Sequence, residues 1–503
     1  MTLEIATSRS LVSAEVTPVI SGFHPDPTIC RVGDDYYLAT SSFGYFPAVP
    51  LYHSTNLVDW EPIGHALDRR DQLPNGIAGD SGGIYAPTLR HHGGHFWLAT
   101  TNASDLDAGQ LIVHAEDPAG PWSDPVHVAD AIGIDPDLVW DDDGTCLLTW
   151  HHFTFDRGGI GVLQAPIDPL TGELLSDPYP VWQGTGMVAA EGPHVIRKDG
   201  YWYQFLAEGG TERGHSTTVA RSRNPRGPFE PCPHNPVLTR RSSGHIVQNA
   251  GHADLVQQPD GSWAAVYLGV RPRGTTPMYH VLGRETFLAG IDWVDGWPVF
   301  DGSRFCFPAP DKSFVDTFEA DQLDVRWVGL DADPNEFAAQ AAQGLTLAAR
   351  DGERGLLCTR VTDFAWEATA EAVTDARLAL RLDARHWAAV MVVGGRVSAE
   401  VRIGDITQEL AADDGPATDI VLGIRASEPQ QASLPNGTSG PDDITLFALI
   451  DGRERELARL DGRYFSTEVA AGFSGRVLAL GIPGRETSVR KFRYLTTSDE
   501  QGL

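Results

Sequence analysis

The chain has 503 residues, with 38 Lys and Arg against 68 Asp and Glu, so its formal net charge at pH 7 is −30. Such an acidic surface repels phosphate backbones and anionic lipids, which argues against nucleic acid or a membrane as a partner. The length exceeds that of one ordinary domain and favours two, and no apolar run approaches the ~20 residues that span a bilayer.

The beginning of the chain and its cysteines bear on location. Residues 1–16 lack a basic segment followed by an apolar one, so a secretory signal is not indicated and a cytoplasmic location is expected. The five cysteines are odd in number and contain no CxxC pair, which predicts reduced core residues and neither a disulfide framework nor a zinc site. They are Cys30, Cys146, Cys232, Cys306 and Cys358.

A turn followed by an aromatic or apolar strand recurs five times along the first 270 residues. The five phrases, in chain order, are GDDYY, GGHFW, DGTCL, DGYWY and DGSWA. A step back of nine positions from one turn residue of each phrase reaches one residue per repeat. The turn residues are Asp35, Gly94, Gly144, Gly200 and Gly261, and the residues reached are, in the same order, Asp26, Tyr85, Asp135, Glu191 and His252. These five are separated by intervals of 59, 50, 56 and 61 residues. Repeats of this length are typical of four-stranded blades, so the pattern predicts a five-bladed β-propeller.

The residues that share this register are expected to converge on the propeller axis, because the first strand of each blade lines it. Three of the five are carboxylates, and like charges at close range disfavour ionisation, so a purely structural role is a poor explanation. Proline flanks Asp26 on both sides and fixes its backbone. Between Asp135 and Asp137 the register favours Asp135. The pattern therefore predicts an active site at the axis.

The sequence pattern changes after a proline-rich boundary at residues 307–311. Beyond it, apolar and polar residues alternate with a period of two, as in 376–382 and 476–480, and no long amphipathic helix is visible. This predicts an all-β chain in which residues 1–310 form the propeller and residues 311–503 form an antiparallel β-sandwich.

Six motifs, HPDPT, GIYAPT, IDPD, EGPH, GHADLV and GRET, occur in this order. Together they resemble glycoside hydrolase family 43, specifically its two-domain β-xylosidases and α-L-arabinofuranosidases. The resemblance covers nearly the whole chain, since the C-terminal part is similar to the concanavalin-like β-sandwich that accompanies this propeller. It implies a small oligosaccharide substrate, and it allows a homo-oligomer.

The resemblance also implies a role for individual residues. Asp26 matches the general base, Glu191 the general acid, and Asp135 the carboxylate that orients the acid and modulates its pKa. His252 and Arg284 match residues of the sugar subsite. The remaining positions that match the lining of the pocket are Phe43, Tyr85 and Thr211, with Phe473 or Tyr464 as an aromatic side chain contributed by the sandwich.

The implied reaction is hydrolysis with inversion, removing non-reducing-end β-D-xylosyl residues from short xylo-oligosaccharides. The alternative is an α-L-arabinofuranosidase, or an enzyme with both activities. A charged Asp135 is expected to raise the pKa of Glu191 and keep it protonated. Inversion predicts that the carboxyl groups of Asp26 and Glu191 lie about 6.5–9.5 Å apart, which leaves room for water. No cofactor or metal is required, although a structural calcium ion is compatible by analogy.

Two other interpretations remain open. The invertase and levansucrase class also has a five-bladed propeller with three acids, but its Asn-Asp-Pro-Asn-Gly type of motif is absent from this sequence. A non-catalytic carbohydrate-binding protein on the same scaffold would not need all three carboxylates.

Overall fold

The computed structural model describes residues 11–154, 158–413, 419–429 and 440–497. Up to residue 308 these contain 25 strands. In chain order the strands are β1 (Leu11–Ser13), β2 (Thr28–Val32), β3 (Asp35–Ala39), β4 (Tyr45–Phe46), β5 (Ala48–Ser54), β6 (Glu61–Leu67), β7 (Thr88–His92), β8 (His95–Thr101), β9 (Gln110–Ala115), β10 (Val126–Val128), β11 (Ile134–Trp140), β12 (Cys146–Thr154), β13 (Gly158–Asp168), β14 (Glu173–Leu174), β15 (Tyr179–Pro180), β16 (Glu191–Lys198), β17 (Tyr201–Glu208), β18 (Ser216–Ser222), β19 (Glu230–Pro231), β20 (Leu238–Thr239), β21 (Gln248–Gln257), β22 (Trp263–Val270), β23 (Glu285–Val294), β24 (Trp297–Asp301) and β25 (Cys306–Pro308).

Five antiparallel sheets of four or five strands form the blades, which confirms the predicted propeller. Their orders are β2-β3-β5-β6, β7-β8-β9-β10, β11-β12-β13-β14, β16-β17-β18-β19 and β21-β22-β23-β24, with β15 and β20 added to the third and fourth blades. The first strands contact one another in a closed circuit: β2 with β7, β7 with β11, β11 with β16, β16 with β21, and β21 with β2. The inner strands therefore surround one axis.

The hairpins that the sequence predicted join the first and second strands of each blade. The tightest ones reverse over two residues, as at Gly33-Asp34, Gly93-Gly94 and Asp199-Gly200. Large apolar side chains fill the space between neighbouring blades; Phe205 of the fourth blade, for example, shares a buried cluster with Tyr267 and Phe287 of the fifth. Four of the five cysteines are buried as expected, whereas Cys306 is exposed because it lies on the short β25 strand at the surface.

The rest of the chain forms two eight-stranded antiparallel sheets around one apolar core. Its strands are β26 (Phe314–Asp316), β27 (Val328–Leu330), β28 (Ala338–Ala341), β29 (Gly344–Leu347), β30 (Leu357–Arg360), β31 (Trp366–Ala372), β32 (Ala376–Asp383), β33 (His386–Val393), β34 (Arg396–Ile403), β35 (Ile406–Asp413), β36 (Ile420–Ser427), β37 (Asp443–Ile450), β38 (Arg453–Asp461), β39 (Val477–Leu480) and β40 (Thr487–Thr496). Leu422 of one sheet and Leu378 of the other share this core, so the unit is a sandwich.

Helices are few and short in the described ranges. There is one α-helix, α1 (Thr467–Ala470), and there are single turns of 3₁₀-helix at Arg70–Gln72, Leu106–Ala108, Pro334–Glu336, Gly352–Gly355 and Gly462–Phe465. None of the described helices is long and apolar enough to cross a membrane.

One strand of the sandwich comes from the propeller half of the chain. The sheet β35-β34-β33-β32-β39-β30-β27 ends on β4, where Tyr45 pairs with Leu330 and Phe46 with Gly329. Tyr45 and Phe46 are fully buried. Along the chain β25 ends at residue 308 and the first sandwich strand, β26, begins at residue 314, but a two-residue segment from the first blade completes a sheet of the sandwich.

Candidate active site

The five residues in the repeated register lie at or beside the start of the inner strands. Asp26 precedes β2, Tyr85 precedes β7, Asp135 is the second residue of β11, Glu191 opens β16, and His252 lies within β21. The register found in the sequence therefore corresponds to one level of the propeller axis.

The backbone at this level is irregular. Asp26, Asp135 and His252 have φ values of 56°, 57° and 52°, a region that costs a non-glycine residue energy, and in the fourth blade Gly192 takes φ 57° immediately after Glu191. The pairing register also shifts between residues 134 and 137, 191 and 194, and 251 and 254. Such bulges turn side chains away from the regular alternation of a strand. Here they direct polar groups toward the axis.

Asp26 is buried and accepts three polar contacts. Ser41 Oγ donates to Oδ2 at 2.6 Å, Arg284 Nη1 donates to Oδ1 at 2.8 Å, and His252 Nδ1 lies 3.5 Å from Oδ1. Burial alone would raise the pKa of Asp26, but the charge of Arg284, the His252 ring and the Ser41 hydrogen bond outweigh it, so its pKa falls below the ordinary 3.8. Asp26 is therefore ionised at neutral pH.

Glu191 has the opposite character. Burial, followed by the nearby charge of Asp26, raises its pKa from 4.5 to about 7, although Arg284 partly counteracts this shift. Glu191 therefore retains its proton over a wide range of pH. An ionised Asp26 and a protonated Glu191 in one site form a pair of groups suited to act as base and acid.

Asp135 is also buried, and its pKa is raised well above 3.8, first by burial and then by the charges of Glu191 and Asp26. Its Oδ2 accepts a hydrogen bond from the Gly192 backbone N–H at 2.9 Å, which ties it to the residue following Glu191. The expectation from the sequence was that a charged Asp135 raises the pKa of Glu191. In the structure burial and the charge of Asp26 raise it, while the pKa of Asp135 is itself raised well above 3.8, so Asp135 tends to hold a proton.

Asp137 has a different environment, in agreement with the register that favoured Asp135. Its Oδ1 lies 2.6 Å from Arg90 Nη2, and Arg90 Nη1 lies 2.7 Å from Asp254 Oδ2. Asp254 also accepts a hydrogen bond from Thr28 Oγ1 at 2.8 Å, while His194 Nδ1 accepts from Arg90 at 3.2 Å. These five residues come from five different blades. They form a buried polar layer that links the inner strands along the axis.

His252 is held as a neutral imidazole. Burial lowers its pKa to about 4, even though the charge of Asp26 acts in the other direction. Its ring packs against Gly192, where an added Cβ would lie 2.9 Å from Nε2. The resemblance implied that His252 and Arg284 belong to a sugar subsite; in the structure both contact Asp26.

Aromatic rings form one wall beside Arg284. Its guanidinium lies 5.5 Å from the Phe43 ring centre and 5.6 Å from that of Phe473. Phe43 stacks on Phe473 at 6.0 Å and meets Tyr85 edge-on at 5.5 Å. Arg284 Nη1 also donates to Thr211 Oγ1 at 3.0 Å. All five sugar-subsite and pocket-lining residues named from the sequence are thus in this neighbourhood.

The sandwich contributes Phe473 to the wall, and the sequence had left the choice between Phe473 and Tyr464 open. The Phe473 backbone N–H donates to Ser81 Oγ at 3.0 Å, and Tyr85 Oη donates to the Ser81 carbonyl at 2.8 Å. Tyr464 forms no ring contact with Phe43 or Tyr85 in the part of the chain that the structure describes.

A cavity of about 570 Å³ opens beside this wall, between the two units. Arg284, Thr211 and Phe473 line one side of it, and His280 and Glu468 line another. Its volume falls within the range of small-molecule sites. The site therefore has a polar end with three carboxyl groups and an adjoining space that the sandwich helps to enclose.

Two groups that hold the carboxylates of the site were not identified from the sequence. Ser41 lies just after β3 in no recognisable motif, so nothing in the sequence links it to Asp26. The Gly192 N–H is a backbone group, although the EGPH motif marked its position. Among the described residues no group of three or more His, Cys, Asp or Glu side chains has the arrangement needed to hold a metal ion.

Comparison with known proteins agrees with this geometry. Residues 16–298 match the family model "Glycosyl hydrolases family 43". A "Xylosidase/arabinosidase" of Butyrivibrio fibrisolvens is 42% identical over 347 residues, covering 64% of this chain and 65% of the relative. A "Non-reducing end alpha-L-arabinofuranosidase" of Bacteroides ovatus is 44% identical over 324 residues, covering 62% and 60%. These matches thus span less than two thirds of either relative.

The structural likeness extends further along the chain. The crystal structure of the GH43 protein BlXynB from Bacillus licheniformis superposes with a TM-score of 0.83 at 27% identity, covering 97% of this chain and 100% of that chain. The propeller, the register of its polar residues and the match over more than half of the sequence lead to one conclusion: the chain belongs to glycosyl hydrolases family 43.

Proposed function

We propose that the protein is an inverting exo-glycosidase that removes β-D-xylosyl residues from the non-reducing end of short xylo-oligosaccharides. The observation that carries this proposal is the opposite pKa shift of two carboxyl groups in one site, lowered for Asp26 and raised to about 7 for Glu191. Glycoside hydrolysis requires one carboxylate that activates water and one carboxylic acid that protonates the leaving oxygen.

In the proposed reaction Glu191 donates its proton to the glycosidic oxygen as the bond from that oxygen to the anomeric carbon breaks. Asp26 accepts a proton from a water molecule, whose oxygen attacks the same carbon from the opposite face. The products are the released sugar with inverted configuration and a shortened oligosaccharide. Arg284, Ser41 and His252 hold Asp26 in place and keep its pKa low, so it accepts this proton at neutral pH.

The proposed sugar is a pentose, because the relatives carry names of xylosidases and arabinosidases. A neutral oligosaccharide also suits a chain whose net charge of −30 would repel an anionic polymer. The Bacteroides ovatus relative, at 44% identity, supports the second candidate, removal of α-L-arabinofuranosyl residues. A non-catalytic sugar-binding role would not account for the pKa difference between Asp26 and Glu191.

The test is the initial rate of the wild type and of Glu191→Gln on p-nitrophenyl β-D-xyloside, p-nitrophenyl α-L-arabinofuranoside and xylobiose. We expect turnover of the xyloside and xylobiose. In Glu191→Gln the xylobiose rate should fall by about 10²–10⁴-fold, because its sugar leaving group needs a proton, while the nitrophenyl substrate should lose less. Proton NMR of the first product should show the inverted anomer.

Turnover of the arabinofuranoside alone would move the assignment to the second candidate. A lack of turnover on all three substrates, with sugar binding retained, would support a binding protein. An equal loss on xylobiose and the nitrophenyl xyloside would contradict the role of Glu191 as the acid, and a first product of retained configuration would contradict inversion.

A further inference from the structure

A second cavity, of about 600 Å³, lies between the propeller and the sandwich. Tyr52, Trp60 and His65 of the first blade line it, together with Lys312 of the connecting segment and Arg360 of β30. His24 also lines it, two residues before Asp26, but none of the three carboxyl residues of the candidate active site does. The two cavities therefore have separate linings, with His24 in this one and Arg284, which contacts Asp26, in the other.

Arg360 brings a positive charge to this cavity without a negative partner. Its Nε donates to the Phe23 carbonyl at 3.0 Å, and its guanidinium lies 4.7 Å from the centre of the Phe23 ring. Its Nη2 is buried and has no hydrogen-bond partner. No carboxylate in the described ranges forms an ion pair with it. The half-buried guanidinium therefore carries a charge that an anion in the cavity would neutralise.

The neighbouring groups do not neutralise that charge. Burial, followed by the charge of Arg360, lowers the pKa of His65 to about 3 and that of His24 well below 6.5, so both rings are neutral. His24 Nδ1 lies 3.0 Å from the Ser21 carbonyl, and its Nε2 lies 2.7 Å from the Tyr52 hydroxyl. The rings thus act as dipoles near Arg360 and add no charge of their own.

The other charged residues around the cavity have partners or lie at its rim. Lys312 Nζ is 3.4 Å from Asp363 Oδ1, and Arg326 Nε is 2.9 Å from Asp324 Oδ1. The carboxylates of Asp59, Glu61 and Asp311 belong to exposed residues, so water reaches them. Among the described residues that line this cavity, Arg360 is therefore the unpaired cation.

We propose that this cavity binds a small oxyanion, either a carboxylate or inorganic phosphate, with the Arg360 guanidinium as its charge partner. A guanidinium donates charge-assisted hydrogen bonds to either anion. The site is independent of the proposed hydrolysis. Since Arg360 also holds the Phe23 carbonyl and the His24 N–H donates to the Arg284 carbonyl at 2.9 Å, an anion here would stabilise the segment leading to Asp26.

The test is the melting temperature of the full chain at pH 7 in rising acetate or phosphate, with chloride replacing them at constant ionic strength. We expect a saturable rise of about 1–3 °C with at least one of the two oxyanions. The rise should be absent in Arg360→Gln. The matched control is Arg326→Gln, which removes a guanidinium from the same cavity that already pairs with Asp324, and which should keep the rise.

A wild-type measurement covers the case in which Arg360→Gln does not fold. Trp60 lies in the cavity wall, so its fluorescence should change saturably with the bound anion, and this change should be lost in Trp60→Phe. A response to acetate alone would identify a carboxylate ligand, and a response to phosphate alone a phosphate ligand. The proposal is overturned if neither anion gives a saturable response, if chloride gives the same one, or if Arg360→Gln retains it.

Discussion

At the scale of single residues, the site is defined by what surrounds each carboxyl group. Asp26 has a guanidinium, a hydroxyl and an imidazole within hydrogen-bond or near-contact distance, whereas Glu191 has burial and the negative charge of Asp26. Placing Glu at position 26 and Asp at position 191 would not exchange the two pKa shifts, because Arg284 lies against position 26. In the proposed mechanism the environment therefore decides which carboxyl group is the base and which is the acid.

This difference predicts a bell-shaped dependence of kcat/KM on pH with xylobiose. Activity needs a protonated Glu191, so it should fall as the pH rises through about 7, where that carboxyl loses its proton. It also needs an ionised Asp26, so the acid limb should lie below the ordinary value of 3.8. Rates measured from pH 3 to pH 10 in buffers of constant ionic strength would check both limbs.

A control for this profile is the melting temperature at each pH, which separates titration of the site from unfolding. Full activity maintained at pH 9 would contradict the assignment of Glu191 as the acid with a pKa of about 7. An acid limb well above pH 4 would contradict the lowered pKa of Asp26.

At the scale of elements, the inner strands are bent where they carry the site. Gly192 illustrates how closely the parts fit: it has a positive φ, its N–H donates to Asp135, and the His252 ring occupies the space beside its Cα. One residue thus links the strands of the third, fourth and fifth blades.

We predict that Gly192→Ala lowers kcat/KM by about 100-fold, because the added Cβ must displace His252 or move Glu191 by a fraction of an ångström or more. Stability should fall by about 1–3 kcal/mol from the positive φ. Urea unfolding and steady-state kinetics on xylobiose would measure the two effects.

Gly144→Ala is the matched control. Gly144 has φ 80° in the hairpin of the third blade, and nothing lies within 4 Å of the position of its Cβ. It should therefore show a similar loss of stability with unchanged kcat/KM. Equal activity losses in the two variants would refute the positioning role of Gly192.

The hairpins and their register could be predicted from the sequence because turn residues such as Asp199-Gly200 act locally. The choice of Asp135 over Asp137 also followed from that register. The bulges could not be predicted, since a shift between residues 191 and 194 depends on pairing with β17 and leaves no signature in composition. Arg90 escaped notice for a similar reason: its partners Asp137 and Asp254 lie 47 and 164 residues away along the chain.

At the scale of the whole molecule, the sandwich takes part in the site. Its loop brings Phe473 onto Phe43, and Ser81 of the propeller fixes the backbone of that loop. Phe473 remains 37% exposed, so part of its side chain is open to solvent. The sandwich thus adds to the pocket as well as packing against the propeller.

We predict that Phe473→Ala lowers kcat/KM for xylobiose by about 3–10-fold, chiefly through a higher KM, because an aromatic contact contributes about 0.5–1.5 kcal/mol. Tyr464→Ala removes a ring of the same sandwich with a similar exposure of 38%, and it should leave KM unchanged. Steady-state kinetics of both variants would test this. A larger effect in Tyr464→Ala would mean that the wrong aromatic residue has been placed at the pocket.

The pairing of β4 with β27 has a consequence for the modular use of this protein. Tyr45 and Phe46 of β4 follow Phe43 of the aromatic wall after a single glycine. The short segment of residues 43–46 therefore contributes both to the pocket wall and to the edge of the sandwich. A chimaera cut at residue 310 would give the donor sandwich a foreign edge strand and would shift Phe43 with it. Exchange of sandwiches between relatives should therefore transfer residues 43–46 together with the sandwich, so that the sheet keeps its own edge strand.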